Sequence, residues 1–133
     1  MKDIARLIHE PGATVAIVGA TDNPGKYGSV IYRDLKRKGF RVFAVNPHRS
    51  VVDGDPAYPD LGALPEPPTV INLVVPPEAT LTVLKEADQL GYKSVWVQPG
   101  AESPEVLIYL QENQFNYLAN ACIMIHSRFH SDT

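Results

Sequence analysis

Val15-Ala16-Ile17-Val18-Gly19-Ala20-Thr21 decides how the rest of the chain is read. An unbroken apolar run with no polar alternation is the pattern of a strand buried on both faces, and such strands belong to parallel sheets covered by helices. The run stops at Gly19, with Asn23-Pro24-Gly25 just beyond it. Three further runs repeat the design: Val42–Val45 before Asn46-Pro47, Val70–Val75 before Pro76-Pro77, and Ser94–Val97 before Gln98-Pro99-Gly100. In open parallel sheets the carboxyl ends of the strands form the ligand edge. These turns therefore outline a binding site.

Helical patterns fill the intervals. From about Gly28 to Lys38, the spacing of Tyr27, Ile31 and Leu35 predicts a buried stripe, with Gly39 as the terminating residue. A second helix is expected from Pro77 to Leu90, with Val83, Ala87 and Leu90 inward and Gly91 ending it. Ser103 caps a third that fades near Asn113. Asp3–His9 reads as a lead-in helix, Arg41–Val45 as the second strand and Asn116–Ala119 as the last. Residues 48–69, punctuated by glycine and proline, read as loop, with Ala57–Leu61 at most a short strand. Residues 127–133 read as a frayed polar tail. The alternation predicts one α/β domain over 1–133, a doubly wound parallel sheet in three α/β/α layers with its core at about 13–126.

Composition removes whole classes of function. A formal charge of −3 supplies no basic field for nucleic acid. No apolar stretch approaches a membrane span, and the first residues lack a signal peptide's apolar core, so a cytoplasmic protein is expected. One cysteine among 133 residues excludes an internal disulfide and a cysteine-cluster metal site.

The first turn runs through Lys26 to a helix start, where backbone N–H groups and the helix dipole favour phosphate. Neither common nucleotide motif fits. Five residues separate Gly19 from Gly25 where a triphosphate loop needs four, and Tyr27 stands where that loop needs a hydroxyl for magnesium. The glycine spacing also departs from the dinucleotide fingerprint, and the second strand ends in Asn46-Pro47 rather than in the acid that holds free ribose hydroxyls. Arg49 offers a positive charge there instead. That favours a phosphorylated ribose, as in NADP or coenzyme A, unless Arg49 is a solvated loop charge. Pro77 is accounted for by its helix start, whereas Pro76 and Pro99 are free to wall an adenine.

Taken in order, these segments resemble the coenzyme A-binding domain family, small relatives of the N-terminal domain of the succinyl-CoA synthetase alpha subunit. The likeness runs from about Val15 to His126. Its carriers are Val15–Thr21, Val45-Asn46-Pro47, Ala57–Leu61, Asn72–Pro77, Val95–Gly100 and Ala121–Ile125. The resemblance implies a Rossmann-like fold that binds coenzyme A or an acyl-CoA across its strand ends. Gly19, Ala20 and Thr21 would face the pyrophosphate, with Lys26 as a second phosphate partner. Asn46, Pro47 and Arg49 would flank the adenosine and its phosphate, Val75, Pro76 and Pro77 would pack on the adenine side, and Gln98, Pro99 and Gly100 would close the far wall.

No catalytic constellation accompanies that site. His9, His48, His126 and His130 share no spacing with one another or with an acid. Asp22, Asp34, Asp55 and Asp60 form no pair suited to acid–base work, and Trp96 reads as core. Cys122 reads as a small buried hydrophobe, the alternative being a thiol near the ligand's own thiol arm. The expectation is a non-enzymatic carrier, sensor or accessory protein, monomeric or homodimeric, with an unidentified protein partner. The alternative is a small NAD(P)-binding redox protein or redox sensor.

Overall fold

The computed structural model describes residues 3–128. Its strands are β1 (Thr14–Val18), β2 (Arg41–Val45), β3 (Val51–Val52), β4 (Asp55–Tyr58), β5 (Val70–Leu73), β6 (Ser94–Val97) and β7 (Asn116–Ala119). They form one sheet in the order β3-β4-β2-β1-β5-β6-β7. Every pairing is parallel except the β3–β4 hairpin. The chain winds outward from β1 to β2 and β4, then returns to β5 on the other side. The sheet therefore has its switch point between β1 and β5, where doubly wound folds open a crevice.

Both faces are covered, as the unbroken apolar runs require. Val15 and Ile17 of β1 pack with α1 (Ile4–Leu7), α2 (Tyr27–Arg37) and α5 (Ile123–His126), through Ile4, Leu7, Ile31, Leu35 and Ile123. Ala16 and Val18 face the opposite layer, where α3 (Pro77–Leu90) and α4 (Pro104–Glu112) contribute Leu84, Ala87, Val106 and Leu110. Trp96 is fully buried in β6 and donates its indole N–H to the Ala121 carbonyl at 2.8 Å.

Four expectations are corrected. Tyr27 and Leu90 are 54% and 41% exposed. The helices are rotated so that Gly28, Ile31, Tyr32 and Leu35 bury in α2, and Thr80, Leu84 and Ala87 in α3. Residues 51–58 form a hairpin rather than loop. Asp53 and Gly54 both adopt positive φ, 50° and 79°, the geometry of a two-residue turn that matches strand twist. A short helix, α5, follows the last strand. Finally, Ser127 is buried and Lys38 Nζ donates to its carbonyl and hydroxyl, while the Arg128 N–H donates to His9 Nε2. Those two residues are tied down, and the remainder of the expected tail, 129–133, lies outside the described residues.

The hairpin is pinned to α2 by charge. Lys36 Nζ lies 3.1 Å from Asp53 Oδ2 and 2.8 Å from Asp55 Oδ2, and the buried Tyr32 hydroxyl donates to Asp55 Oδ2 at 2.8 Å. The Lys36 ammonium, followed by the Tyr32 hydroxyl, holds Asp55 below its ordinary value of 3.8. Burial and then the hydrogen bond to Asp55 push Tyr32 well above the ordinary tyrosine range. A depressed native carboxylate stabilises the fold above its unfolded value, and that contribution is lost as pH falls through the native value. Asp55→Asn should therefore lower stability at pH 7 and leave a shallower loss between pH 4 and pH 2 than wild type shows. Urea denaturation across that range checks both effects.

Asn72 breaks the apolar pattern of β5. It is fully buried, and neither its Nδ2 nor its Oδ1 finds a hydrogen-bond partner among the described residues. A buried amide without partners costs about 1–3 kcal/mol. Asn72→Leu, which keeps the branched four-atom shape, should match wild-type stability or exceed it by about 1 kcal/mol. A loss above that size in thermal denaturation would mean that the amide is satisfied in the native protein.

Candidate functional site

Two helices begin over the switch point, and neither start is capped by a side chain. At α2 the cap position is Lys26 and at α3 it is Pro76, both without a side-chain cap hydrogen bond. Helix starts of this kind leave N–H groups unpaired and carry partial positive charge, which favours an anion. Pro77 withdraws one donor from α3, and Thr80 Oγ1 donates back to the Val75 carbonyl at 3.2 Å, fixing how α3 leaves the sheet.

Two glycines bring these elements together. A Cβ on Gly28 would lie 2.0 Å from the Gly19 carbonyl oxygen, so α2 rests directly on the β1 turn. A Cβ on Gly19, where φ is 104°, would lie 2.5 Å from the Val74 carbonyl oxygen and 2.9 Å from Val75 Cγ1. Gly28 thus performs the close helix–strand packing that the dinucleotide fingerprint assigns to its third glycine, at a spacing no fingerprint search would return.

The result is a cleft of about 600 Å³ over the strand ends. Gly19, Thr21, Lys26, Asn46, Arg49, Val75, Pro76, Pro77, Pro99 and Gly100 all line it, as does Tyr27. Lys26 and Arg49 supply its positive charge, and neither forms an ion pair among the described residues. A second, more apolar cleft of about 720 Å³ opens on the α3 side, lined by Val45, Pro47, Pro59, Leu61 and Val83 among others. Gly19, Asn46 and Val75 border both clefts. The acids at the second cleft are occupied: Glu86 accepts from the Leu61 and Gly62 N–H groups, and Asp60 from the Ala63 N–H.

Two expected contact residues take other roles. Ala20 is fully buried and lines neither cleft, but its carbonyl accepts from Asn46 Nδ2 at 2.9 Å. Gln98 is 1% exposed; its Oε1 accepts from the Ile123 N–H at 2.8 Å and its Nε2 lies 3.4 Å from Cys122 Sγ. It anchors α5 instead of closing the wall. The Gly100 N–H is taken by the Glu102 carboxylate at 3.2 Å, so the far turn offers the cleft its pyrrolidine ring more than its donors.

Cys122 is half-exposed rather than buried. The Tyr27 hydroxyl lies beside its sulfur, and charge on that sulfur raises Tyr27 above its ordinary value of 10.0. His9 donates from Nδ1 to the Ala5 carbonyl at 2.9 Å and accepts at Nε2 from the Arg128 N–H, and His126 lies 5.7 Å from the Trp96 ring. His126 is the last residue of α5, and neither it nor His9 lines the two clefts, whereas His48 borders the second one. No group of three or more His, Cys, Asp or Glu residues suited to a metal ion occurs among the described residues. No helix there is long and apolar enough to cross a membrane.

The sequence matches the family model described as CoA binding domain over residues 13–128. Part of the chain is similar to an ADP-forming acetate–CoA ligase of Archaeoglobus fulgidus, with 35% identity over 81 residues; the matched segment is 61% of this chain and 11% of the ligase. Among solved structures, a conserved hypothetical protein from Pyrococcus furiosus superposes with a TM-score of 0.84 at 43% identity, covering 86% of this chain and 99% of that one. A dinucleotide-forming acetyl-coenzyme A synthetase of Ca. Korarchaeum cryptofilum, solved with phosphate and ADP, gives 0.71 at 25% identity, covering 90% of this chain and 27% of the synthetase.

The contact between Gly28 and Gly19 generates a direct test. Gly28→Ala should destabilise the protein by about 3 kcal/mol, since a backbone oxygen and not a flexible side chain must move. Gly25→Ala meets only Asn23 Oδ1 at 3.4 Å and should be tolerated. Chemical denaturation of the two variants in parallel separates the steric effect from a general loss of loop flexibility.

Proposed function

We propose, on the premise that the chain belongs to the CoA-binding domain family, that it binds coenzyme A or an acyl-CoA across the two clefts. The observation that carries the reading is the division of labour along the strand ends. One cleft combines an uncapped helix start with the cations Lys26 and Arg49, unpaired among the described residues, and the adjoining one is walled by Val, Leu and Pro side chains. A pyrophosphate suits the first and a flat heteroaromatic base suits the second, with the ribose crossing at Gly19, Asn46 and Val75. Arg49, at the turn after β2, is within the wall that a phosphate on that ribose would face. The ligand's thiol arm would then leave past Tyr27, Pro99 and Gly100.

The chemistry of this reading is recognition. Backbone N–H groups of α2 receive the pyrophosphate, Lys26 and Arg49 neutralise charge, and the apolar walls desolvate the base. A role as carrier, sensor or accessory to a partner protein follows from binding alone, without a bond being made or broken. The absence of an acid at the end of β2 weighs against a nicotinamide dinucleotide with free ribose hydroxyls, because Asn46 already spends its carboxamide on the Ala20 carbonyl and the His48 N–H.

Arg49→Ala should weaken coenzyme A binding by about 1–3 kcal/mol, the scale of a charge-assisted hydrogen bond. Dephospho-coenzyme A should lose far less. Calorimetry with both ligands makes the comparison, and equal losses would show that Arg49 does not read the ribose phosphate.

A further inference from the structure

Arg49 is exposed, and its side chain makes no hydrogen bond or ion pair among the described residues. A long cation held by nothing at its tip takes its direction from the backbone that carries it. That backbone is unusually constrained for a loop. Asn46 begins a four-residue turn in which the Arg49 N–H donates to the Asn46 carbonyl at 3.4 Å, with Pro47 at the position that favours such turns. The Asn46 side chain closes the turn a second time, Oδ1 accepting from the His48 N–H at 2.8 Å. From its other end, Nδ2 donates to the Ala20 carbonyl at 2.9 Å. The same residue's backbone N–H donates to the Tyr58 carbonyl at 2.9 Å. One carboxamide therefore ties the turn that carries Arg49 to the turn that ends β1, and it does so at the junction of the two clefts.

We infer that Asn46 is a positioning residue: by joining the Ala20 carbonyl to the His48 N–H, it holds Arg49 where the cation separates ligands with a ribose phosphate from those without. This rests on the coenzyme A reading above. Asn46 lines both clefts, but each end of its carboxamide is committed to a backbone group, so its effect reaches the ligand through Arg49. A displacement of an ångström or so in the turn is enough to lose a contact that depends on distance and direction. Asn46 also explains why an acid would not serve at this position. A carboxylate can accept from His48 but cannot donate to Ala20, and it would face that carbonyl with like charge.

The test is a double-mutant cycle read by calorimetry with coenzyme A and dephospho-coenzyme A, on wild type, Asn46→Ala, Arg49→Ala and the double variant. Asn46→Ala should cut the ratio of the two affinities by about tenfold, close to the effect of Arg49→Ala. The double variant should be no worse than Arg49→Ala alone, because a misdirected cation has little left to lose. Asn46→Ser keeps a hydroxyl that accepts from the His48 N–H and should recover much of the ratio. If circular dichroism shows Asn46→Ala unfolded, Asn46→Leu, which keeps the branched shape and loses both hydrogen bonds, takes its place in the cycle. Multiplicative losses, or an Asn46 variant that weakens both ligands equally, would overturn the assignment while leaving the ligand reading intact. An Arg49→Ala ratio equal to that of wild type would overturn it as well, whereas a wild-type protein that binds neither coenzyme A nor dephospho-coenzyme A saturably would instead overturn the ligand reading itself.

Discussion

The point where α2, β1 and β5 meet leaves no space for a side chain. Gly28 lies on the Gly19 carbonyl and Gly19 lies on the Val74 carbonyl, each closer than any Cβ would allow. That double contact draws the first turn of α2 down over the strand ends, with β5 pressed against β1 on the other side. Everything at the sheet edge follows from it. Were either glycine larger, α2 would lift, and the uncapped helix start that favours an anion would no longer face the crevice.

Upon that frame, charge and apolarity are sorted to opposite sides of the switch point. Lys26 and Arg49 face the α2 side without ion-pair partners among the described residues, while Asp60 and Glu86, on the α3 side, accept from backbone N–H groups of the 61–63 turn. No acid among the described residues lines the first cleft, so its two cations have no carboxylate beside them there. Other ionic contacts in the protein are structural. Lys36 binds the β3–β4 hairpin to α2, and Lys38 ties α2 to the segment around Ser127. The Lys36 pairs are partly exposed and individually small in effect, but they hold the hairpin beside Arg49 against α2.

The sheet was legible because its central strands are hydrophobic on both faces and end in turn residues, a signal that needs no knowledge of side-chain packing. The helices were legible in extent but not in rotation. Tyr27, Ile31 and Leu35 share a face by spacing alone, yet the closest approach belongs to Gly28, and an apolar count gives a glycine no weight. The hairpin had a local signal, Asp53-Gly54 between Val51-Val52 and Asp55, that the surrounding prolines obscured. Most of the cleft could be anticipated, since the ends of parallel strands must meet at one edge. Ala20 and Gln98 could not be separated from their neighbours, because which way a buried polar group turns depends on partners far along the chain. Gln98 meets Cys122 and Ile123, and Ala20 meets Asn46. Neither pairing leaves a mark in sequence spacing.

The central claim is that these strand ends recognise coenzyme A by its pyrophosphate, its base and its ribose phosphate together. Titration calorimetry of ligand-free protein with coenzyme A, NAD and NADP in parallel tests it most directly. Saturable binding of coenzyme A at a ratio of one per chain, with both nicotinamide cofactors at least tenfold weaker, is the result the account requires. Preferential binding of either nicotinamide cofactor would contradict it.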